Sequence, residues 1–81
     1  MTSTPVITLA HCPVGQHFVL QGVKDPEAAL LLLRLGLGEG DEGLLLERLP
    51  MGGPYLLRFA QQELALGAAM ATQLAVQVLP T

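Results

Sequence analysis

The chain has few basic residues, few aromatic residues and no tryptophan. Four of its 81 residues are lysine or arginine, 4% are aromatic, and the net charge is −3. The basic residues are scattered along the chain: Lys24, Arg34, Arg48 and Arg58. Nucleic-acid binding requires a clustered basic face that neutralises phosphates. A nucleic-acid partner is therefore not expected.

Three features of the sequence bear on the cellular compartment: a single cysteine, no recognisable secretory leader and no clear membrane span. Cys12 cannot form an internal disulfide, and a lone thiol is typical of a reducing cytoplasm. Residues 1–4 lack the basic segment that begins a secretory leader. The uncharged segment 64–81 is barely as long as the ~20 apolar residues of a span, and it contains Gly67 and Pro80. We predict a cytoplasmic protein without direct membrane insertion.

Apolar residues dominate the composition. They make up 51% of the chain, whereas 14% of the residues are charged. The length allows a single domain, predicted over residues 1–81 with its core at 8–79. Because a short chain buries a smaller share of its surface than a long one, some large apolar side chains should remain exposed. An exposed apolar patch usually marks a contact surface.

Short alternating segments between tight turns predict a mainly β fold. The turns are rich in glycine and proline, and the predicted strands cover residues 16–23, 44–49, 55–60, 63–66 and 74–79. Such a pattern favours a small β-barrel of about five strands. A helical turn is predicted at 67–72, before the last strand.

One short α-helix is predicted between the first two strands, at residues 26–35. Asp25 can cap its start, Pro26 suits the first helical position, and Glu27 lies at the positive end of the helix dipole. Gly36 is a suitable stop. The helix is apolar nearly all round, so it should be heavily buried or face a partner.

Three segments carry a family resemblance, in order and at consistent spacing. Residues 32–40 (LLRLGLGEG) are similar to an RLxxLGLxxG stretch, and residues 50–54 (PMGGP) to a PxGGP hairpin. Residues 64–67 (LALG) and 74–76 (LAV) are similar to an IALR…A…I.V ending. With Leu9 and Gly15 added, the chain resembles the ferrous iron transport protein A (FeoA) family over almost its whole length.

This resemblance implies an SH3-like barrel and a small cytoplasmic accessory protein of ferrous iron uptake. It implies docking on the cytoplasmic part of the membrane iron transporter, ferrous iron transport protein B (FeoB), and modulation of that transporter. A similar domain forms the C-terminal part of metal-dependent repressors of the diphtheria-toxin-repressor type. A stand-alone protein-interaction module related to that domain is therefore an alternative. The resemblance implies arginines at two positions where this chain has Leu31 and Gly67, so either its docking surface is more apolar or its partner has diverged.

The chain offers little for catalysis or for metal binding. No catalytic constellation is present, so we expect neither an enzyme nor a cofactor. His11, Cys12 and His17 form one cluster with ligand atoms suited to a transition metal, and Asp41 or Glu42 could add a carboxylate. Structural metal sites normally need four convergent ligands. A metal-binding or metal-sensing protein is therefore kept as the weaker alternative to docking.

The partner contact is predicted at Leu31, Leu37, Met51 and Tyr55. Residues 30–33 point in all directions round a helix, so they cannot all face one small core. Met51 offers a soft packing surface at the hairpin, and Tyr55 belongs to a residue type favoured at interfaces. A homodimer contact through the leucines is the alternative to transporter binding.

Overall fold

The fold is a six-stranded antiparallel sheet with one nine-residue helix between its second and third strands. The computed structural model describes residues 5–80. The strands are β1 Val6–Thr8, β2 His17–Val23, β3 Glu42–Arg48, β4 Tyr55–Phe59, β5 Gln62–Leu66 and β6 Leu74–Val78. The helices are α1 Pro26–Arg34 and α2 Ala68–Ala71, and a 3-10 turn at Leu9–His11 follows β1.

The strand order is β1-β6-β2-β3-β4-β5, so β1 and β5 form the two outer edges of the sheet. Each neighbouring pair runs antiparallel. The register shifts between Leu20 and Gly22 in β2, and between Leu45 and Glu47 in β3. Such bulges bend a strand and increase its twist, which lets a short sheet curve round its own core. The mainly β prediction is confirmed.

The predicted elements are present, with their ends shifted by one or two residues. The predicted helical turn before the last strand is α2. The strand count rises to six because Val6–Thr8 pairs with β6, and this addition places α1 between the second and third strands. Three residues are too few to show an alternating pattern, so the pattern alone did not identify this strand. Residues 1–4 and 81 of the predicted domain lie outside the described residues.

Helix α1 begins and ends where the sequence indicates. The Asp25 Oδ1 accepts a hydrogen bond from the Glu27 N–H at 3.3 Å, which satisfies one free donor of the first turn. At the other end, Gly36 has a φ of 89°, the left-handed conformation that ends many helices. The Leu37 N–H then donates to the Leu32 carbonyl at 2.9 Å. Within residues 5–80, neither helix has the length and apolar character needed to cross a membrane.

The core lies between one face of the sheet, the 3-10 turn and the inner side of α1. Its buried members are mostly leucines and aromatic residues: Leu9, Cys12, Phe18, Leu20, Leu32, Leu37, Leu45, Tyr55, Leu57, Phe59, Leu66, Ala71, Leu74 and Val76. The Phe18 and Phe59 rings meet edge to face, with centroids 5.6 Å apart and planes at 82°. Gly43, on the strand between them, leaves room for both rings, because a Cβ there would lie 2.5 Å from Phe59 Cε1.

Candidate functional site

Met51 lies at the tip of the hairpin that joins β3 to β4. The Gly53 N–H donates to the Pro50 carbonyl at 3.1 Å and closes a four-residue turn. Its central residues, Met51 and Gly52, have φ of 61° and 73°. Positive φ at both central positions is typical of a type I′ turn, whose twist matches that of a hairpin. This turn favours asparagine, aspartate or glycine, and left-handed backbone costs other residues about 1–2 kcal/mol.

The Met51 side chain is fully exposed, at 101% of its reference area. It therefore gains no burial in the fold that would offset the strained backbone. A glycine-rich turn would form without it, because the positive φ and the closing hydrogen bond are properties of the backbone. The fold by itself gives no reason for methionine at this position, which makes the hairpin tip a candidate contact point.

Replacing Met51 with asparagine should therefore stabilise the protein. Asparagine tolerates left-handed φ, so we expect the free energy of unfolding to rise by up to about 1 kcal/mol, measured as a higher urea midpoint. Val14→Asn is the matched control, because Val14 is also an exposed apolar residue but has no positive φ. An equal gain in both variants would contradict the strain at Met51.

Four leucines on or just after α1 are exposed to solvent. Leu30, Leu31, Leu33 and Leu35 are 52%, 48%, 61% and 44% exposed. The inner side of the helix is formed by Ala28 and Leu32, which are buried. The predicted contact residue Leu31 is thus at the surface, as is Met51. The run of leucines indicated that some would be exposed, but it did not indicate that Leu30, Leu33 and Leu35 would join Leu31.

Two of the four predicted contact residues lie in the core, which corrects the sequence-based prediction. Leu37 is 1% exposed and Tyr55 is 8% exposed. Leu37 turns inward because Gly36 reverses the chain after α1. Tyr55 lies against Arg48, whose guanidinium carbon is 5.2 Å from the ring centroid. Neither residue can present its side chain to a partner, so Leu31 and Met51 remain as two separate exposed candidates, one on α1 and one at the hairpin tip.

The three residues considered as metal ligands are not brought together. His11 Nδ1 lies 2.9 Å from Thr8 Oγ1, whereas His17 Nδ1 lies 3.4 Å from Glu42 Oε2. Cys12 is buried in the core. In the part of the chain that the structure describes, no group of three or more histidine, cysteine, aspartate or glutamate side chains could hold a metal ion. The geometry gives no support to the metal alternative.

The thiol of Cys12 is a core group. Burial raises the pKa of the Cys12 thiol, and the charge of Arg48 opposes that change only in part. The thiol therefore stays protonated at neutral pH, whereas metal ligands and nucleophiles act as thiolates. Its Sγ lies 3.6 Å from the Pro13 carbonyl oxygen, a weak contact within the same loop.

A shallow cavity of about 300 Å³ lies between the segment that follows α1 and the turn from β4 to β5. Two carboxylates, those of Asp41 and Glu42, are on its wall. Asp41 Oδ2 already accepts the Gly38 N–H at 2.7 Å, and Glu42 pairs with His17. Each of the two carboxylates is thus in contact with another group of the fold.

Comparison with known proteins finds similarity along nearly the whole chain. The FeoA domain family matches residues 7–78. The crystal structure of an iron uptake regulatory protein, FeoA, is 25% identical over 93% of this chain and 99% of that chain, with a TM-score of 0.81. Stenotrophomonas maltophilia FeoA complexed with zinc, called a prokaryotic SH3 domain protein, is 26% identical over 88% of this chain and 89% of that chain, with a TM-score of 0.75. The SH3-like prediction is confirmed.

The fold also occurs as part of larger regulators. A manganese-dependent transcriptional repressor is 18% identical over 98% of this chain, with a TM-score of 0.83, but the match spans only 45% of that chain. At this level of identity the likeness concerns the fold alone. None of the curated protein sequences matches the chain.

Proposed function

Because this chain belongs to the FeoA domain family, we propose that it is an accessory protein of ferrous iron uptake. It docks on the cytoplasmic part of the membrane iron transporter FeoB and modulates it. This makes the chain a cytoplasmic binding protein, not an enzyme. The similar S. maltophilia protein is described as a possible activating factor of bacterial ferrous iron transport, which supports the proposal.

The observation that carries the proposal is the fully exposed Met51 in left-handed backbone at the β3–β4 tip. Positions kept in a strained conformation, with no gain in stability, are typical of functional sites. A flexible, polarizable thioether adapts to a partner's surface better than a rigid side chain. Leu31 supplies a second exposed apolar contact on α1.

The proposed contact residues Leu31 and Met51 are both apolar. Leu31 and Gly67 stand where the resemblance implies arginines. Charged contacts across an interface mainly set the association rate and its dependence on salt. We therefore expect the affinity of this chain for the transporter to depend weakly on ionic strength, since burial of apolar side chains supplies most of it.

A binding titration tests the proposal. The isotopically labelled chain is followed by its amide spectrum while the cytoplasmic domain of the transporter from the same organism is added. We expect saturable shifts at the β3–β4 tip and along α1. Met51→Ser and Leu31→Ser should each weaken binding by about tenfold, as the loss of an apolar side chain that becomes buried in an interface does. Val14→Ser, which also removes an exposed apolar side chain, should leave the affinity unchanged.

A parallel titration with ferrous and zinc ions under reducing conditions separates the alternatives. Shifts caused by metal alone, centred on His11, Cys12 and His17, would favour a metal-binding protein and overturn docking as the primary role. No saturable shift with the transporter domain would equally overturn the proposal. Unchanged binding by both serine variants would show that the surface has been placed wrongly.

A further inference from the structure

We propose that α1 is also a self-association surface, through which two copies of this chain pair antiparallel about a two-fold axis. The proposal goes beyond transporter docking and does not rest on it. It starts from the solvent side of α1, where Leu30 and Leu31 are half-exposed between Glu27 and Arg34.

These four residues form one stripe on the outside of the helix. With about 3.6 residues per turn, positions i, i+3, i+4 and i+7 share a face, and here they are Glu27, Leu30, Leu31 and Arg34. The inward positions, Ala28 and Leu32, are buried, and Leu32 belongs to the core. Helix α1 is therefore apolar on two sides. Such a second stripe is the pattern by which helices pack against one another in water.

The order of residues along the stripe selects a second copy of the chain as the occupant. The stripe reads acidic, leucine, leucine, basic. A two-fold axis between Leu30 and Leu31 places each Leu30 on the Leu31 of the second copy. The same axis places each Glu27 beside the Arg34 of the second copy, so the ion pair forms twice. A parallel pairing would instead bring like charges together.

The charges on this stripe are available for such a pairing. In residues 5–80, the close contacts between basic and acidic side chains join His17 to Glu42 and Arg58 to Glu63, and neither includes Glu27 or Arg34. The two charges also lie at opposite ends of α1, too far apart to pair within one copy. A partner helix running in the opposite direction satisfies both.

The interface is small, so the dimer should be weak. Leu33 and Leu35 are also exposed but lie outside the stripe, which leaves two leucines from each copy at its centre. A contact formed mainly by one short helix from each copy falls below the ~1,200 Å² of stable complexes. A dissociation constant on the order of micromolar to hundreds of micromolar is therefore expected. Because Leu31 belongs to both surfaces, pairing and docking would exclude each other.

Sedimentation equilibrium over a concentration series, from micromolar to millimolar, tests the pairing. The unaltered chain should be in reversible monomer–dimer equilibrium. Glu27→Arg gives a stripe with two positive charges, and Arg34→Glu gives one with two negative charges. Each variant alone should weaken self-association by about tenfold or more, because like charges then meet twice across the axis. Both substitutions lie on the surface, and a matching thermal unfolding curve would show that the fold is intact.

The decisive measurement is the equimolar mixture of the two variants. The mixed pair restores a positive stripe against a negative one, so association should return to at least the level of the unaltered chain. Met51→Ser, which weakens docking in the proposed function, should leave self-association unchanged. A chain that stays monomeric at millimolar concentration, charge variants that associate as before, or a mixture that fails to associate would each overturn the pairing.

Discussion

Replacement of Gly43 by alanine is expected to destabilise the protein by about 1–3 kcal/mol, the usual effect of overpacking a filled core. An alanine Cβ would lie 2.5 Å from Phe59 Cε1 and 2.8 Å from Phe18 Cζ. Both rings are buried and hold each other edge to face, so neither can move away without losing that contact. The loss should appear as a lower urea midpoint with an unchanged slope.

Gly22→Ala is the matched control for this prediction. Gly22 also lies in a strand, but a Cβ built there meets nothing within 4 Å. Its replacement should change the free energy of unfolding by less than about 0.5 kcal/mol, as surface substitutions usually do. If both variants lost equal stability, the effect would come from glycine in a strand and not from the two rings.

Replacement of Arg48 by alanine should destabilise the protein by about 2 kcal/mol. The Arg48 Nη2 donates to the carbonyls of Ala10 and Cys12, and its guanidinium lies over the Tyr55 ring. Hydrogen bonds from a charged donor contribute about 1.5–3 kcal/mol. The contribution of each bond should be smaller here, because Arg48 is exposed and only its bond to Cys12 is partly buried. Arg48 thus connects the 3-10 turn at Leu9–His11 to the end of β3 through these hydrogen bonds. Amide exchange at the turn should accelerate together with the loss of stability.

The control for this variant is Arg58→Ala. Arg58 pairs with Glu63 at 3.2 Å, but both side chains are about half exposed or more. An exposed ion pair contributes about 0–1 kcal/mol, so the variant should be nearly as stable as the unaltered chain. The loss of stability in Arg48→Lys should lie between the losses in Arg48→Ala and Arg58→Ala, because lysine keeps the charge over Tyr55 but lacks the planar guanidinium. Equal losses of stability in Arg48→Ala and Arg58→Ala would contradict a stabilising connection between Arg48 and the 3-10 turn.

The sequence correctly predicted those elements whose formation depends on interactions between residues close together in the chain. Asp25 and Pro26 place the start of α1, because a cap and a fixed φ act within one turn of the chain. Gly52 and Gly53 place the β3–β4 hairpin for a similar reason. The short strand β1 was missed because its pairing partner, β6, lies at the other end of the chain. No local pattern in three residues encodes such a contact.

The candidate site was predicted only in part. The two wrong predictions, Leu37 and Tyr55, concern residues whose burial depends on tertiary packing. Leu37 and Tyr55 were expected at the surface on the basis of residue type and position along the chain. Their burial depends on the chain reversal at Gly36 and on the arginine that covers the tyrosine ring. The strained φ of Met51, which now marks the hairpin tip, has no signature in the sequence beyond a methionine in front of two glycines.

The sequence alone was enough to predict the type of every strand and α-helix except β1, to reveal the family resemblance and to show that the four basic residues are scattered. These follow from composition, period and turn chemistry, which act over a few residues. Which leucines of α1 face the core depends on how the helix packs against the sheet. A run of consecutive leucines has no polar side that would mark the outside of the helix. The position of the sheet therefore decides which of them are buried. Because the sheet covers one side of the helix, Leu32 is buried while Leu30 and Leu31 remain free to meet a partner.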